Sequence, residues 1–309
     1  QYFYMDQVAE AAVEVGIRGV LCEGMIEGFD EEKGRKALKR GVSFAEKYNG
    51  WKGMIWTRLG PHAEYSCSLE FLRRVREEAD RLGVGIHIHL AEAKAPVDEF
   101  IEKHGKSPVK VLDEMGFFKD DVIIAHAIHL DDEDLKILSE RNVAVAYNPV
   151  SNMKLASGVA RVAEMLKLGI RVGIGTDGPG SNNSLDLLQD IKIGTLLQKT
   201  RYMDPTVLPA KQALWMATRG GAEALNLSNL IGSIEVGKRA DIVVIDTRKI
   251  RYIPVRDPYT AITYCSSGSD VRDVIVDGKI IVRDGELQTM DLQKIVEDLE
   301  NAVQELFAG

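Results

Sequence analysis

Five polar side chains stand at the ends of four apolar runs, and their types suit hydrolytic chemistry. They are His62, His89, Glu92, His126 and Asp177. Imidazole nitrogens together with a carboxylate suit a divalent cation that keeps one position open for water, such as zinc, and such water loses a proton near neutral pH. The residue types therefore favour metal-assisted chemistry with water as a reactant.

The elements that must position these residues follow an alternating pattern. Six apolar runs without polar alternation are separated by segments in which apolar residues recur at helical spacing. Such runs are typical of strands buried in a parallel sheet, and the alternation predicts an α/β fold, a distorted TIM-type (β/α)8 barrel. Functional residues of this fold lie at one mouth, where the strands end. The six predicted strands are 18–22, 54–57, 84–90, 122–125, 143–146 and 170–174.

Six strands are two fewer than a closed barrel requires. The chain opens at Gln1, without an initiator methionine. We therefore expect the first strands of the barrel to be missing from the N-terminus of this chain. Predicted helices over 185–199 and 209–225 would close the barrel.

The pattern of predicted elements changes after residue 226, where the alternation of helices and strands ends. Short β-rich runs cover 231–245 and 271–282, the second with the hairpin signal Asp277-Gly278, and an amphipathic helix is predicted over 291–307. We predict a barrel catalytic domain over 1–226. Residues 227–309 would form the C-terminal part of a small β-sandwich domain plus the terminal helix.

Composition excludes several classes of partner. The 309 residues carry a net charge of -8 with a pI near 5.4, which argues against nucleic acid and anionic membranes as partners. The apolar runs are shorter than the roughly 20 residues that span a bilayer, and no secretory signal opens the chain. Three widely separated cysteines predict reduced thiols. We expect a cytoplasmic protein, either monomeric or a homo-oligomer.

Five ordered motifs give the sequence a family resemblance over nearly its whole length. It resembles the metal-dependent amidohydrolase superfamily, in the deaminase and chlorohydrolase branch that includes deaminases of S-adenosylhomocysteine, methylthioadenosine and 5'-deoxyadenosine. The segment Gly237-Lys-Arg-Ala-Asp-Ile-Val243 fits as well. The five motifs are Gly60-Pro-His62, His87-Ile-His-Leu-Ala-Glu92, Ala125-His-Ala-Ile-His-Leu130, Asn148-Pro-Val-Ser-Asn-Met-Lys-Leu155 and Gly175-Thr-Asp-Gly-Pro-Gly-Ser-Asn-Asn183.

The resemblance implies a role for each residue in converting a 5'-modified adenosine to the inosine analogue and ammonia. His89 and Asp177 would bind one divalent ion, zinc in the first place, with iron and manganese as alternatives. Asp177 would also accept a proton from the metal-bound water, and Glu92 would protonate the purine ring nitrogen. His126 would stabilise the water and the tetrahedral centre, and His62 would hydrogen-bond the purine.

The sequence departs from the family pattern in one respect. The family takes two further ligands from a His-x-His pair at the end of the first barrel strand, and no such pair precedes His62. We expect that segment to exist in the natural protein and to be missing here. The alternative is a fragment that binds metal poorly.

Several polar residues have simpler interpretations. We expect His87 to lie in the core or behind the site, His129 to be structural and His104 to be a solvated surface residue. The run Ser181 to Ser184 would cap the next helix. A contact between this run and Asp177 is the alternative.

The substrate is less well determined than the chemistry. Glu23 stands where relatives that use S-adenosylhomocysteine have an arginine, so we expect a 5'-deoxy or 5'-thio adenosine, with Arg35 as a candidate replacement for the missing charge. A guanine deaminase or a triazine or chloro-hydrolase of the same branch is the first alternative. A non-catalytic barrel protein is the second.

Overall fold

The computed structural model describes residues 1–307, and a parallel sheet of seven strands forms its centre. The strand order is β1-β3-β4-β5-β6-β7, with β2 also paired to β3, and every pairing is parallel. The α/β fold is confirmed as a curled half-barrel, and all six predicted strands are present. The strands are β1 Gly19–Leu21, β2 Gly24–Met25, β3 Ile55–Pro61, β4 Gly85–Leu90, β5 Val122–His126, β6 Ala144–Tyr147 and β7 Arg171–Ile174.

Helices cover the sheet, and capping residues mark where they begin and end. Ser68 accepts the Phe71 N–H at 3.1 Å and so caps α3, and Gly83 ends the same helix with φ +66°. The helices before the second sheet are α1 Met5–Val15, α2 Glu31–Tyr48, α3 Leu69–Leu82, α4 Lys94–His104, α5 Pro108–Glu114, α6 Asp132–Glu140, α7 Pro149–Lys154, α8 Val162–Lys167, α9 Leu187–Tyr202, α10 Ala210–Met216 and α11 Arg219–Ala224.

The segment predicted as one helix over 209–225 is two helices, α10 and α11. The break falls at Ala217 and Thr218, where Thr218 leaves helical dihedral angles with φ -127° and ψ -97°. A Cβ atom on Gly220 would lie 2.6 Å from the Trp215 ring, so the glycine allows the break to pack tightly. Helix α11 lies against β7, where Gly173 and Gly221 meet, and within residues 1–307 the sheet stays open between β1 and β7.

The core lies between the sheet and the helices that cover it. Every residue of β5 is buried, as expected for a central strand covered on both faces. Leu72, Val75 and Ala79 on α3 turn the same helix face toward this core. The apolar packing holds the sheet in place, and the carboxyl ends of its strands share one edge.

A second sheet follows in the chain and is antiparallel, with the order β11-β10-β9-β8. Asp277 and Gly278 both have positive φ and form the predicted hairpin turn. Arg18 joins this sheet to the barrel through an ion pair with Asp241 at 2.8 Å. The remaining elements are β8 Ile242–Ile245, α12 Pro258–Cys265, β9 Val271–Val276, β10 Lys279–Arg283, β11 Glu286–Leu287 and α13 Leu292–Phe307.

The domain boundary predicted after residue 226 stays a prediction. Helix α12 contacts α9 and α10, and the Thr263 hydroxyl donates to the Ala210 carbonyl at 3.2 Å. The apolar face predicted for the terminal helix is exposed along α13. None of the helices in residues 1–307 has both the length and the apolar character needed to cross a bilayer.

Candidate active site

The predicted site residues meet at the carboxyl edge of the parallel sheet. The ring centroids of His62 and His89 are 5.0 Å apart, and those of His89 and His126 are 5.5 Å apart. Glu92 Oε2 lies 3.7 Å from His126 Nε2. Asp177 belongs to the same group, because two adjacent residues of α7, Ser151 and Asn152, bind Asp177 and His126 respectively. Residues more than one hundred positions apart in sequence thus share one site.

His89 is oriented by a main-chain contact. Its Nδ1 donates to the His62 carbonyl at 2.7 Å, which leaves Nε2 as the nitrogen with a free lone pair. Burial lowers the pKa of His89, so the neutral form predominates at neutral pH. A neutral imidazole with one nitrogen held and the other available is the form that binds a metal ion.

His126 is buried at the end of β5, and its main chain is left-handed with φ +72°. Its Nδ1 lies 2.8 Å from Asn152 Oδ1. Because an amide oxygen only accepts, the proton sits on Nδ1. The Nε2 atom faces the Glu92 carboxyl group, 3.7 Å from Oε2.

Asp177 is held by two hydroxyl groups. Its Oδ2 accepts from Ser151 at 2.7 Å and from Ser181 at 2.8 Å. Burial alone would raise the pKa of Asp177, but these hydrogen bonds outweigh it and leave the pKa below its usual value. The residue is a carboxylate at neutral pH. The predicted capping role of residues 181–184 is wrong, since Asp186 caps α9; the alternative contact with Asp177 is present.

His62 lies directly after β3 and is neutral. Burial, assisted by the neighbouring His89, lowers the pKa of His62 to about 4. Its Nδ1 lies 2.8 Å from the Ser66 hydroxyl, which donates onward to the Ala63 carbonyl at 3.4 Å. Nδ1 therefore donates to Ser66, and Nε2 can accept a hydrogen bond from a ligand.

The other histidines lie outside this arrangement. Burial lowers the pKa of His87 well below its usual value, so this half-buried histidine on β4, 6.5 Å from His89 between ring centroids, is neutral. His129 donates to the Ser157 carbonyl at 2.8 Å, in line with the predicted structural role. His104 packs on the Phe100 ring at 4.3 Å between centroids and is half-exposed rather than fully solvated.

Glu23 does not have the free carboxylate that the substrate prediction assumed. Its Oε2 accepts the Met5 N–H at 3.2 Å at the start of α1, and its Oε1 lies 3.8 Å from Arg40. Arg35 is exposed on α2 and lines a groove with Glu27 and Phe29. The expected preference for an uncharged 5' group therefore loses its support from Glu23.

Sequence reasoning assigned no role to three residues that hold the site. Ser66, Ser151 and Asn152 contact His62, Asp177 and His126 respectively. Ser151 and Asn152 are fully buried although both are small polar residues. The available signal was the motif after β6, where two polar residues follow a proline that starts α7.

The donor set is suited to a metal ion but is small. His89 offers a neutral imidazole nitrogen and Asp177 offers a carboxylate, the ligand types that zinc accepts. In the part of the chain that the structure describes, no group of three or more His, Cys, Asp or Glu side chains is arranged to hold an ion. These two residues would therefore be part of a ligand set.

Known proteins resemble the chain over almost all of its length. The model of the amidohydrolase family matches residues 1–281. A 5'-deoxyadenosine deaminase from Methanosarcina barkeri is 46% identical over 306 residues, which is 99% of this chain and 70% of the relative. A 5-methylthioadenosine/S-adenosylhomocysteine deaminase from Thermoanaerobacter pseudethanolicus is 46% identical over 309 residues, 99% of this chain and 71% of the relative.

A solved structure agrees with these relatives. The crystal structure of an adenosine deaminase from Xanthomonas campestris with bound zinc superimposes with a TM-score of 0.93 at 30% identity. The match covers 100% of this chain and 71% of that one. The chain belongs to the amidohydrolase family.

Proposed function

We propose that the protein is a hydrolase of C–N bonds that deaminates a 5'-modified adenosine. The products are the inosine analogue and ammonia. The observation that carries the proposal is the meeting of Glu92, His126 and Asp177 at one sheet edge. Glu92 Oε2 lies 3.7 Å from His126 Nε2, and two adjacent residues of α7, Asn152 and Ser151, bind His126 and Asp177 respectively. The deaminase names of relatives at 46% identity support the same reaction.

A divalent metal ion, with zinc as first choice, would be held by His89 and Asp177. The orientation of His89 by the His62 carbonyl and the carboxylate form of Asp177 fit this role. When bound, the ion would lower the pKa of a water molecule and so supply a nucleophile near neutral pH. The zinc in the Xanthomonas campestris structure supports the choice of metal.

The residues of this chain then divide the proton transfers. Water adds to the ring carbon that bears the amino group, and Asp177 takes the proton that this water gives up. Glu92 donates a proton to the neighbouring ring nitrogen, which accepts the electron pair of the broken C=N bond. His126 hydrogen-bonds the added oxygen, and His62 holds the purine through Nε2. Asp177 then passes its proton to the amino group, which leaves as ammonia as the C–N bond breaks, and the added hydroxyl becomes the carbonyl as its proton returns to Glu92.

The small molecule that the protein binds is a purine nucleoside. The substrate panel described below determines which 5' group on this nucleoside is preferred. With Glu23 bound to Met5 and Arg40, the described site favours none of 5'-deoxyadenosine, methylthioadenosine and S-adenosylhomocysteine over the others. All three cysteines are free thiols, which suits a reducing compartment, and we place the protein in the cytoplasm.

The test is ammonia release from a substrate panel by full-length protein whose metal content is measured in the same preparation. The panel contains the three adenosines, guanine and a chlorotriazine. Turnover of an adenosine that is lost in Glu92→Gln, with metal retained, would support the proposal. Metal with turnover of guanine or the triazine only would favour the alternative enzymes, and the absence of metal would favour a non-catalytic barrel.

A further inference from the structure

Glu64 is a buried carboxyl group that the proposed reaction does not use. It lies in the loop after β3, close to His62 in sequence, and only 3% of the residue is exposed. Its Oε1 accepts the Ala91 N–H at 3.1 Å, whereas Oε2 is buried without a hydrogen-bond partner among the described residues. Burying an unpaired carboxyl oxygen lowers stability, so packing alone does not explain this residue.

The contact with Ala91 lies at a strained turn. Ala91 is fully buried between His89 and Glu92, and its φ of +53° is in the left-handed region that residues with a Cβ atom rarely adopt. The turn sets the direction in which the chain presents Glu92. A side chain that holds the Ala91 N–H therefore acts on the position of Glu92.

The same turn also contacts the loop that follows His126. The Ala91 carbonyl accepts the N–H groups of Ile128 and His129, each at 3.0 Å. Three strand-end loops are thus joined at Ala91, and Glu64 provides the only side-chain bond to the Ala91 main chain among the described residues. Glu92 and His126, 3.7 Å apart, lie on two of the loops that meet at this junction.

We propose that Glu64 is a positioning residue for deamination, which holds the left-handed turn at Ala91 and thereby keeps the Glu92 carboxyl beside His126 and the substrate ring. The inference rests on the proposed function, because it concerns the placement of the proposed proton donor. Without this anchor the turn relaxes and Glu92 moves. A displacement of about 1 Å at a reacting group costs roughly 100-fold in rate.

Two variants distinguish a positioning role of Glu64 in the reaction from a purely structural role. Glu64→Met has similar length, but it removes both the acceptor and the unpaired oxygen, so the two effects on stability oppose each other. We expect its thermal midpoint to stay within about 5 °C of wild type. Its kcat for 5'-deoxyadenosine should fall roughly 10- to 100-fold, with KM changed by less than about threefold. Glu64→Gln keeps an accepting oxygen and should retain kcat within about threefold.

Asp134→Leu is a matched control. Asp134 is another buried carboxylate, and its partners, Ser107 and the Asp131 N–H, lie at helix starts rather than at the Ala91 turn. We expect this variant to lose thermal stability while its kcat stays unchanged. Loss of kcat in the control as large as that in Glu64→Met would overturn the assignment.

The outcomes also separate this inference from the proposed function. Wild-type protein that releases no ammonia from any adenosine overturns both. Active wild type together with normal kcat in folded Glu64→Met overturns the positioning role alone. A large loss of kcat in Glu64→Gln would do the same, since that variant keeps the shape of the side chain and the hydrogen bond to Ala91. Loss in Glu64→Met with activity kept in Glu64→Gln supports the role.

Discussion

Replacing Asn152 by alanine should slow the reaction without unfolding the protein. Asn152 Oδ1 accepts from His126 Nδ1 at 2.8 Å and keeps Nε2 directed toward Glu92. The amide nitrogen of Asn152 is itself buried without a partner among the described residues. The side chain therefore contributes little net stability, and its effect should appear in kcat.

The magnitude follows from the hydrogen bond that is lost. Leaving a buried donor unpaired costs about 1–3 kcal/mol. An imidazole released from Asn152 can turn to find another partner, and the reactive orientation must then be restored at that cost. If the whole amount adds to the activation barrier, kcat falls roughly 5- to 150-fold. KM should change little, since His126 is assigned to the reacting water and not to the purine.

The assay is ammonia release from 5'-deoxyadenosine with wild type, Asn152→Ala and Gln198→Ala. Gln198 is a matched control, because it is a fully buried amide with one unpaired atom, Oε1, and it binds Tyr147 and Ala160 instead of a site residue. We expect normal kcat in Gln198→Ala. An Asn152→Ala protein that keeps kcat within about twofold would refute the orienting role, because even about 1 kcal/mol corresponds to a larger change.

Two further predictions follow from the electrostatics of the site. Ser151→Ala and Ser181→Ala each remove a hydrogen bond that lowers the pKa of Asp177, so each should raise this pKa and move the acid limb of the kcat–pH profile to higher pH. Ser184 binds Asn182 instead of Asp177, so Ser184→Ala should leave the profile unchanged. The pKa of His62 is lowered from 6.5 to about 4 on folding, so the unfolded chain binds more protons between these values and stability falls as the pH falls through that range. In thermal denaturation, His62→Gln should lose less stability than wild type from pH 6.5 to 4, and an identical loss would contradict the assignment.

The strands could be predicted because a parallel strand that is buried on both faces is a run of apolar residues, and such a run is visible in the sequence. The run predicted over 122–125 is β5, Val122–His126, and each of its residues is buried. The short helix α7 could not be predicted in this way. Its six residues are too few to show a helical period, and its position depends on Gly194 of α9, where a Cβ atom would lie 2.9 Å from Tyr147 and 3.0 Å from Pro149.

The site residues differ in the same way: those that could be predicted follow a sequence pattern, whereas the missed ones depend on tertiary packing. Polar residues at strand ends could be grouped because parallel topology brings those ends to one edge. Asn152 lies in the short helix α7 and Glu64 in a loop, and their roles depend on side-chain direction and depth, which no periodic pattern encodes. The metal and proton-transfer roles of His89, Glu92 and Asp177 stay predictions, although the structure brings the three side chains to one edge.

Backbone strain is concentrated where these residues lie. Ala91, His126 and Asp177 have φ values of +53°, +72° and +62°, all in a region that costs energy for residues with a Cβ atom. A buried or partly buried polar bond from another element meets each of them: Glu64 binds Ala91, Asn152 binds His126, and Ser151 binds Asp177.

These polar bonds explain how strained loops hold a fixed geometry. The sheet brings the strand ends to one edge, but it does not set the direction of a side chain that lies beyond the last ladder hydrogen bond. That direction is set where a side chain from a neighbouring loop or helix binds the strained residue. Removing one such bond should leave the sheet intact and move a single reacting group. For this reason the variants proposed at Glu64 and Asn152 are expected to change kcat far more than the free energy of unfolding.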